Sequence, residues 1–137
     1  RSVNWEPLLA AAIAARSHSH SPYSRFAVGA AVETASGEIF GGANVENRSF
    51  GVTICAERSA VAAAVSAGHR KFRAVAVVTS TSPPSPPCGL CRETMTEFCA
   101  PETPIGLFNL EGDRRVVPLG DLFPEPFRLP SGETSGA

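Results

Sequence analysis

The chain predicts an α/β layered fold built on a mixed sheet. Three observations carry that prediction: an amphipathic helical stretch at the start, a strand-turn-strand pattern after it, and then helical and strand patterns alternating to the end. Its 137 residues suit one domain, 1–137, of a size that buries a core without disulfide staples.

Residues 4–15 place Trp5, Leu8, Leu9, Ala12 and Ile13 at helical spacing, with Asn4 as N-cap and Pro7 inside the first turn. A polar loop over 16–24 carries His18 and His20, which read as surface residues. Residues 26–33 alternate in strand fashion, and 39–44 pair back across Ser36-Gly37 as a hairpin. The alanine-rich stretch 55–67 has Val61 and Val65 four apart and Gly68 at the C-cap, the pattern of a buried helix. Residues 74–79 form a continuous apolar run, as expected of a strand covered on both faces. Four prolines in the eight residues 80–87 demand a loop. Beyond it, 92–99 sets Met95, Phe98 and Cys99 on one helical side, 105–110 reads as a strand, Gly112 marks a turn, and 115–118 is extended. The small, polar tail 130–137 is expected to fray.

Net charge is −1 and the twelve basic residues are scattered, so no electropositive stripe is present to hold a phosphate backbone. The apolar run 8–15 is too short to span a bilayer, and Glu6 precedes it where a secretory signal would carry positive charge. The expected setting is the cytoplasm, with neither a nucleic acid nor a membrane as partner. In that setting the four cysteines, Cys55, Cys88, Cys91 and Cys99, point to metal or redox chemistry before disulfides.

Two motifs, Cys55-Ala56-Glu57-Arg58 and Pro87-Cys88-Gly89-Leu90-Cys91-Arg92, each stand at the predicted start of a helix. Unpaired N–H groups and the positive dipole end favour thiolate over thiol there. Three thiolates leave the fourth corner of a zinc tetrahedron open for water, the mark of a catalytic rather than a structural site. Such a centre carries net charge −1, which opposes acidification of the water. Arg58 and Arg92 are the residues expected to offset it by hydrogen bonds to sulfur. Glu57, two residues after Cys55, converges on the same first turn and is the natural proton carrier. Taken alone, Cys88-Gly89-Leu90-Cys91 fits a thioredoxin-like redox pair as well, but Cys-x-Glu-Arg has no task in that scheme. A non-catalytic binding protein with a structural zinc would need a fourth protein ligand, and no residue offers itself. Cys99, without a motif partner, reads as a buried structural thiol.

The combination Cys-x-Glu followed by Pro-Cys-x-x-Cys is the zinc deaminase signature. At these residues the chain resembles the cytidine deaminase family, in particular its small, three-cysteine, homotetrameric type. The likeness extends through residues 21–31, Gly42-Ala43-Asn44-Val45-Glu46-Asn47, and Leu122-Phe123-Pro124-Glu125-Pro126-Phe127, in the family order. It implies a three-layer α/β/α cytidine deaminase-like fold and one Zn²⁺ per subunit on Cys55, Cys88 and Cys91. It further implies hydrolysis of cytidine and 2′-deoxycytidine to the uridines and ammonia, in pyrimidine salvage, with Glu57 carrying protons. By the same likeness Phe26, Asn44, Glu46 and Ala56 would contact substrate, with Asn44 and Glu46 on the ribose and Phe26 stacked on the base. Phe50 and Phe127 would come from neighbouring subunits. The chain departs from the family pattern at Arg48, Phe50 and Glu93, and Cys-Arg-Glu also occurs in relatives that deaminate blasticidin S.

Overall fold

The structure, a computed structural model, describes residues 2–130. The tail expected to fray therefore lies, apart from Pro130, outside the described residues. Along the chain run α1 (Trp5–Arg16), β1 (Gly29–Thr34), β2 (Ile39–Ala43), α2 (Ala56–Ser66), β3 (Phe72–Thr79), α3 (Gly89–Phe98), β4 (Pro104–Asn109), β5 (Arg114–Pro118) and the short α4 (Leu119–Leu122). The strands form one sheet in the order β2-β1-β3-β4-β5. Only β3 and β4 are parallel, with Val75 opposite Ile105 and Thr79 opposite Asn109. The pairs β1/β2, β1/β3 and β4/β5 are antiparallel, so the sheet is mixed.

Helices cover both faces, as the α/β/α reading requires. On one face Leu8 and Ala12 of α1 pack with Ala31, Ala74, Ala76, Val78 and Phe108. On the other, Ala60, Val61 and Ala64 of α2 and Met95 of α3 meet Val32, Val75, Val77 and Leu107. The central strand β3 is buried on both sides, which explains its unbroken apolar run. Asn4 caps α1, its side chain accepting from the Glu6 N–H at 3.4 Å.

Two boundaries differ from the sequence reading for identifiable reasons. The strand expected over 26–33 starts only at Gly29, because the Asn44 side chain takes the backbone groups that a ladder would use. Its Oδ1 accepts from Val28 N–H at 3.0 Å and its Nδ2 donates to the Phe26 carbonyl at 2.8 Å. The helix expected over 92–99 starts three residues early, because Cys88 already acts as its N-cap. The extended stretch expected over 115–118 is β5, and the short α4 that follows it had no counterpart in the sequence reading. Among the described residues no helix is long and apolar enough to cross a membrane.

Candidate metal centre and active-site cavity

The beginnings of α2 and α3 meet near the end of β3. Cys55 and Cys88 occupy the two N-cap positions in extended conformation, and neither side chain is spent on a cap hydrogen bond. Cys91 lies in the first turn of α3 and is fully buried. The close approach of α2 to the sheet depends on Gly42 in β2. A Cβ there would run into the backbone N of Ala60 and come within 2.8 Å of the Ser59 carbonyl carbon.

The three sulfurs lie within 4.8 Å of one another, with Cys55 to Cys88 at 3.7 Å and Cys88 to Cys91 at 3.5 Å. In a zinc–thiolate tetrahedron with bonds of about 2.3 Å, neighbouring sulfurs stand about 3.8 Å apart. A disulfide needs about 2.05 Å. The spacing therefore suits a shared zinc ion and all four cysteines are free. Cys99 stands apart as a buried thiol, pushed up to about 12 by burial alone.

The electrostatics of the cluster are coupled. A hydrogen bond with Cys91 holds the Cys55 thiol well below its ordinary range, aided by Cys88 and Arg58 against the opposing effect of burial. Cys91 moves up, because the same bond, its burial and nearby Glu57 all oppose a second negative charge. Glu57 is only 5% exposed, and burial raises its pKa, with the neighbouring Cys55 charge acting in the same direction. A carboxyl raised in this way is suited to holding a proton as well as giving one up.

The two arginines have different roles. Arg58 lies against Cys55, whose thiolate it favours, and its Nη2 donates to the Thr53 carbonyl at 2.9 Å. Its Nε is buried with no acceptor. Arg92, expected to donate to sulfur, instead bonds two carbonyls: Nε donates to Pro87 at 2.7 Å and Nη1 to Leu122 at 2.7 Å. The carbonyl of the residue preceding Cys88 is the better acceptor and lies within reach, so Arg92 steadies the ligand's backbone.

A cavity of about 200 Å³ opens beside the sulfurs, lined by Cys55, Ala56, Glu57 and Cys88 together with Phe26 and Asn44. Its remaining wall comes from Val28, Thr53, Val77, Thr79, Ser85 and Pro86, which the sequence reading did not single out. Thr79 immediately precedes the proline-rich loop that leads to Cys88 and Ser85 lies within it, and that adjacency was the available signal. Asn44 is 8% exposed, and its side chain binds Val28, Phe26 and the Ser19 hydroxyl as well as facing the cavity. Glu46 lines a neighbouring depression of about 430 Å³ with Tyr23, Ser24, Phe50 and Thr53, and Thr53 borders both spaces. The Ser24 hydroxyl, with the Ser24 and Tyr23 N–H groups, donates to the Glu46 carboxylate and lowers its pKa. Phe50 and Phe127 are each 73% exposed and do not line the sulfur-side cavity.

Comparison with known proteins agrees with this geometry. The family model described as the cytidine and deoxycytidylate deaminase zinc-binding region matches residues 3–107. A cytidine deaminase of Halalkalibacterium halodurans is 47% identical over 125 residues, covering 91% of this chain and 95% of that protein. The crystal structure of cytidine deaminase from Burkholderia pseudomallei superposes with a TM-score of 0.87 at 46% identity, covering 91% of this chain and all of that one. A blasticidin-S deaminase of Bacillus cereus is 31% identical over 105 residues, 71% of this chain and 74% of that protein.

Proposed function

This chain belongs to the cytidine deaminase family, and on that premise we propose that it hydrolyses cytidine and 2′-deoxycytidine to uridine and 2′-deoxyuridine with release of ammonia. The observation that carries the reading is the convergence of three cysteine sulfurs, at two helix N-termini, on the buried carboxyl of Glu57. Cys55, Cys88 and Cys91 would hold the zinc. When bound, that ion supplies the Lewis acidity that makes water nucleophilic near neutral pH.

The chain's own groups handle protons and position. Glu57 takes a proton from the attacking water and passes it to ring N3 as oxygen adds to C4. It then transfers the second proton, from that oxygen, to the amine. The C4–N bond breaks, ammonia departs and a carbonyl remains, so one water is consumed per turnover. Burial of Glu57 supports this role, since a carboxyl desolvated in a cleft is matched to both halves of the cycle. Arg58 offsets the charge of the sulfur cluster. Phe26 stacks on the base, and the backbone at Ala56 and the side chain of Asn44 meet the substrate within the cavity. Glu46, beside the cavity across Thr53, serves the ribose end.

The cavity of about 200 Å³ is small for a nucleoside, since ligand pockets run to roughly 300–1,000 Å³. Neighbouring subunits of a homotetramer would complete it, using the largely exposed Phe50 and Phe127. Free cysteines suit the reducing cytoplasm. There, within a single domain, the enzyme would serve pyrimidine salvage.

The test is zinc stoichiometry on one preparation assayed with cytidine, deoxycytidine and blasticidin S. Loss of the cytidine absorbance band with matching ammonia is expected at one zinc per chain. A zinc-loaded protein that turns over neither nucleoside would refute the reading, and turnover of blasticidin S alone would move the substrate.

A further inference from the structure

Part of the cavity wall comes from the loop joining β3 to the Cys88 turn, and a chain of three hydroxyls runs through that loop. Thr79 Oγ1 lies 3.0 Å from Thr81 Oγ1, which lies 2.6 Å from Ser85 Oγ. The two ends of the chain, Thr79 and Ser85, both line the cavity; the middle member, Thr81, does not. Asn109, 4% exposed at the end of β4, locks the chain from behind by donating to the Thr81 carbonyl at 3.0 Å. Its amide is itself fixed, donating to Asp113 Oδ2 at 2.9 Å while Oδ1 accepts from the Glu111 and Asp113 N–H groups at 3.0 Å.

Each hydroxyl has one hydrogen to give, so the chain can run either way. With hydrogens directed from Thr79 toward Ser85, the Ser85 hydroxyl is free to donate into the cavity. With the chain reversed, Ser85 gives its hydrogen to Thr81 and presents only lone pairs. Deamination makes a matching exchange on the base: an amine donor becomes a carbonyl acceptor, and an unprotonated ring nitrogen becomes an N–H donor. Ser85 stands three residues before Cys88, and both line the cavity.

Resting on the deaminase reading above, we infer that Ser85 is a specificity-determining residue that hydrogen-bonds the base's polar edge, and that Thr81 is the positioning residue that lets it switch between donor and acceptor. The reversible chain serves substrate and product without movement of the loop. Asn109 holds the Thr81 backbone in register for it.

The experiment uses the zinc-loaded enzyme and compares wild type with Ser85→Ala, Thr81→Val, the double variant, and Thr81→Ser. KM for cytidine and the inhibition constant of uridine are read for each, with zinc content measured alongside. A buried neutral hydrogen bond contributes roughly 2- to 12-fold in binding, so S85A and T81V should each weaken both constants by that factor. The double variant should be no worse than the worse single one, and T81S should return to wild type. Ser85 is half-buried at the cavity edge, so S85A keeps the test available if T81V folds poorly. Unaltered constants in S85A, multiplicative losses in the double variant, or failure of T81S to rescue would overturn the inference while leaving the deaminase reading intact. Absence of cytidine turnover in the zinc-loaded wild type would overturn both.

Discussion

The two helix starts at the sulfur cluster use nearly the same local device for different ends. Cys55 caps α2 at φ −72°, ψ 155°, and Cys88 caps α3 at φ −71°, ψ 172°. Two residues further on the environments part: Glu57 is 5% exposed, whereas Leu90 is 64% exposed. The difference lies in docking. The start of α2 is pressed onto the sheet where Gly42 offers no side chain, so its second residue is buried beside the cavity. The start of α3 follows a loop, and of its first three residues only Cys91 is buried. The arginines follow the same division. Arg58 bonds locally to Thr53, five residues back, while Arg92 ties Pro87 to Leu122, thirty residues on. The residue two past each N-cap is a carboxyl in α2 and an alkyl side chain in α3, so residue type and burial together single out Glu57 as the proposed proton carrier.

The sharpest way to break this contrast is Glu57→Gln. It should cost about 10²–10⁴-fold in turnover while zinc stays bound, because only proton transfer is removed. Ammonia release with metal analysis on the same sample checks it, and near-normal turnover would remove Glu57 from the chemistry. Next in size, Arg58→Ala should weaken zinc retention by about 10- to 100-fold, as loss of a ligand's supporting partner does. Competition against a graded set of chelators reads this. Arg92→Ala should leave zinc retention within a few-fold of wild type but lower unfolding stability by about 1–3 kcal/mol, since its bonds go to carbonyls. Equal zinc loss in both variants would erase the distinction between the arginines.

Gly42→Ala tests the docking argument itself. Forcing a methyl between β2 and α2 should cost about 1–3 kcal/mol by denaturant titration, and the Glu57-bearing helix should be the part displaced. The smallest effect concerns Cys99. Its thiol, pushed up to about 12, stays protonated through pH 8 and should resist iodoacetamide in metal-stripped native protein. Cys55 in the same sample should react readily, because its neighbours hold it as thiolate. Peptide mass mapping after a short exposure separates the two.

Much of the fold was legible because periodicity and turn residues act locally. Asn4, the Ser36-Gly37 turn and the prolines after Ser80 each announced their element, and the buried strand β3 showed itself as an unbroken apolar run. The cysteine triad was legible for the same reason, since cysteines at predicted helix starts are placed by their own backbone. What sequence reading misjudged depends on partners far along the chain. Asn44 displaces the start of β1 by binding backbone sixteen and eighteen residues away. Arg92 finds a carbonyl in α4, which no pattern foretold.

Taken by itself, the amino-acid sequence determined which residues could ligate a metal, which carboxylate stood beside them, and the order of helices and strands. Those properties follow from residue type and from spacing within a turn or two. Tertiary structure alone decided that Cys55 and Cys88, thirty-three residues apart, lie 3.7 Å from each other. It also decided that Glu57 is buried and that Thr79, Thr81 and Ser85 are linked beside Asn109. Side chains from separate elements acquire common neighbours only when the sheet packs, because a contact's geometry is set by the layers on either side of it and not by the distance along the chain.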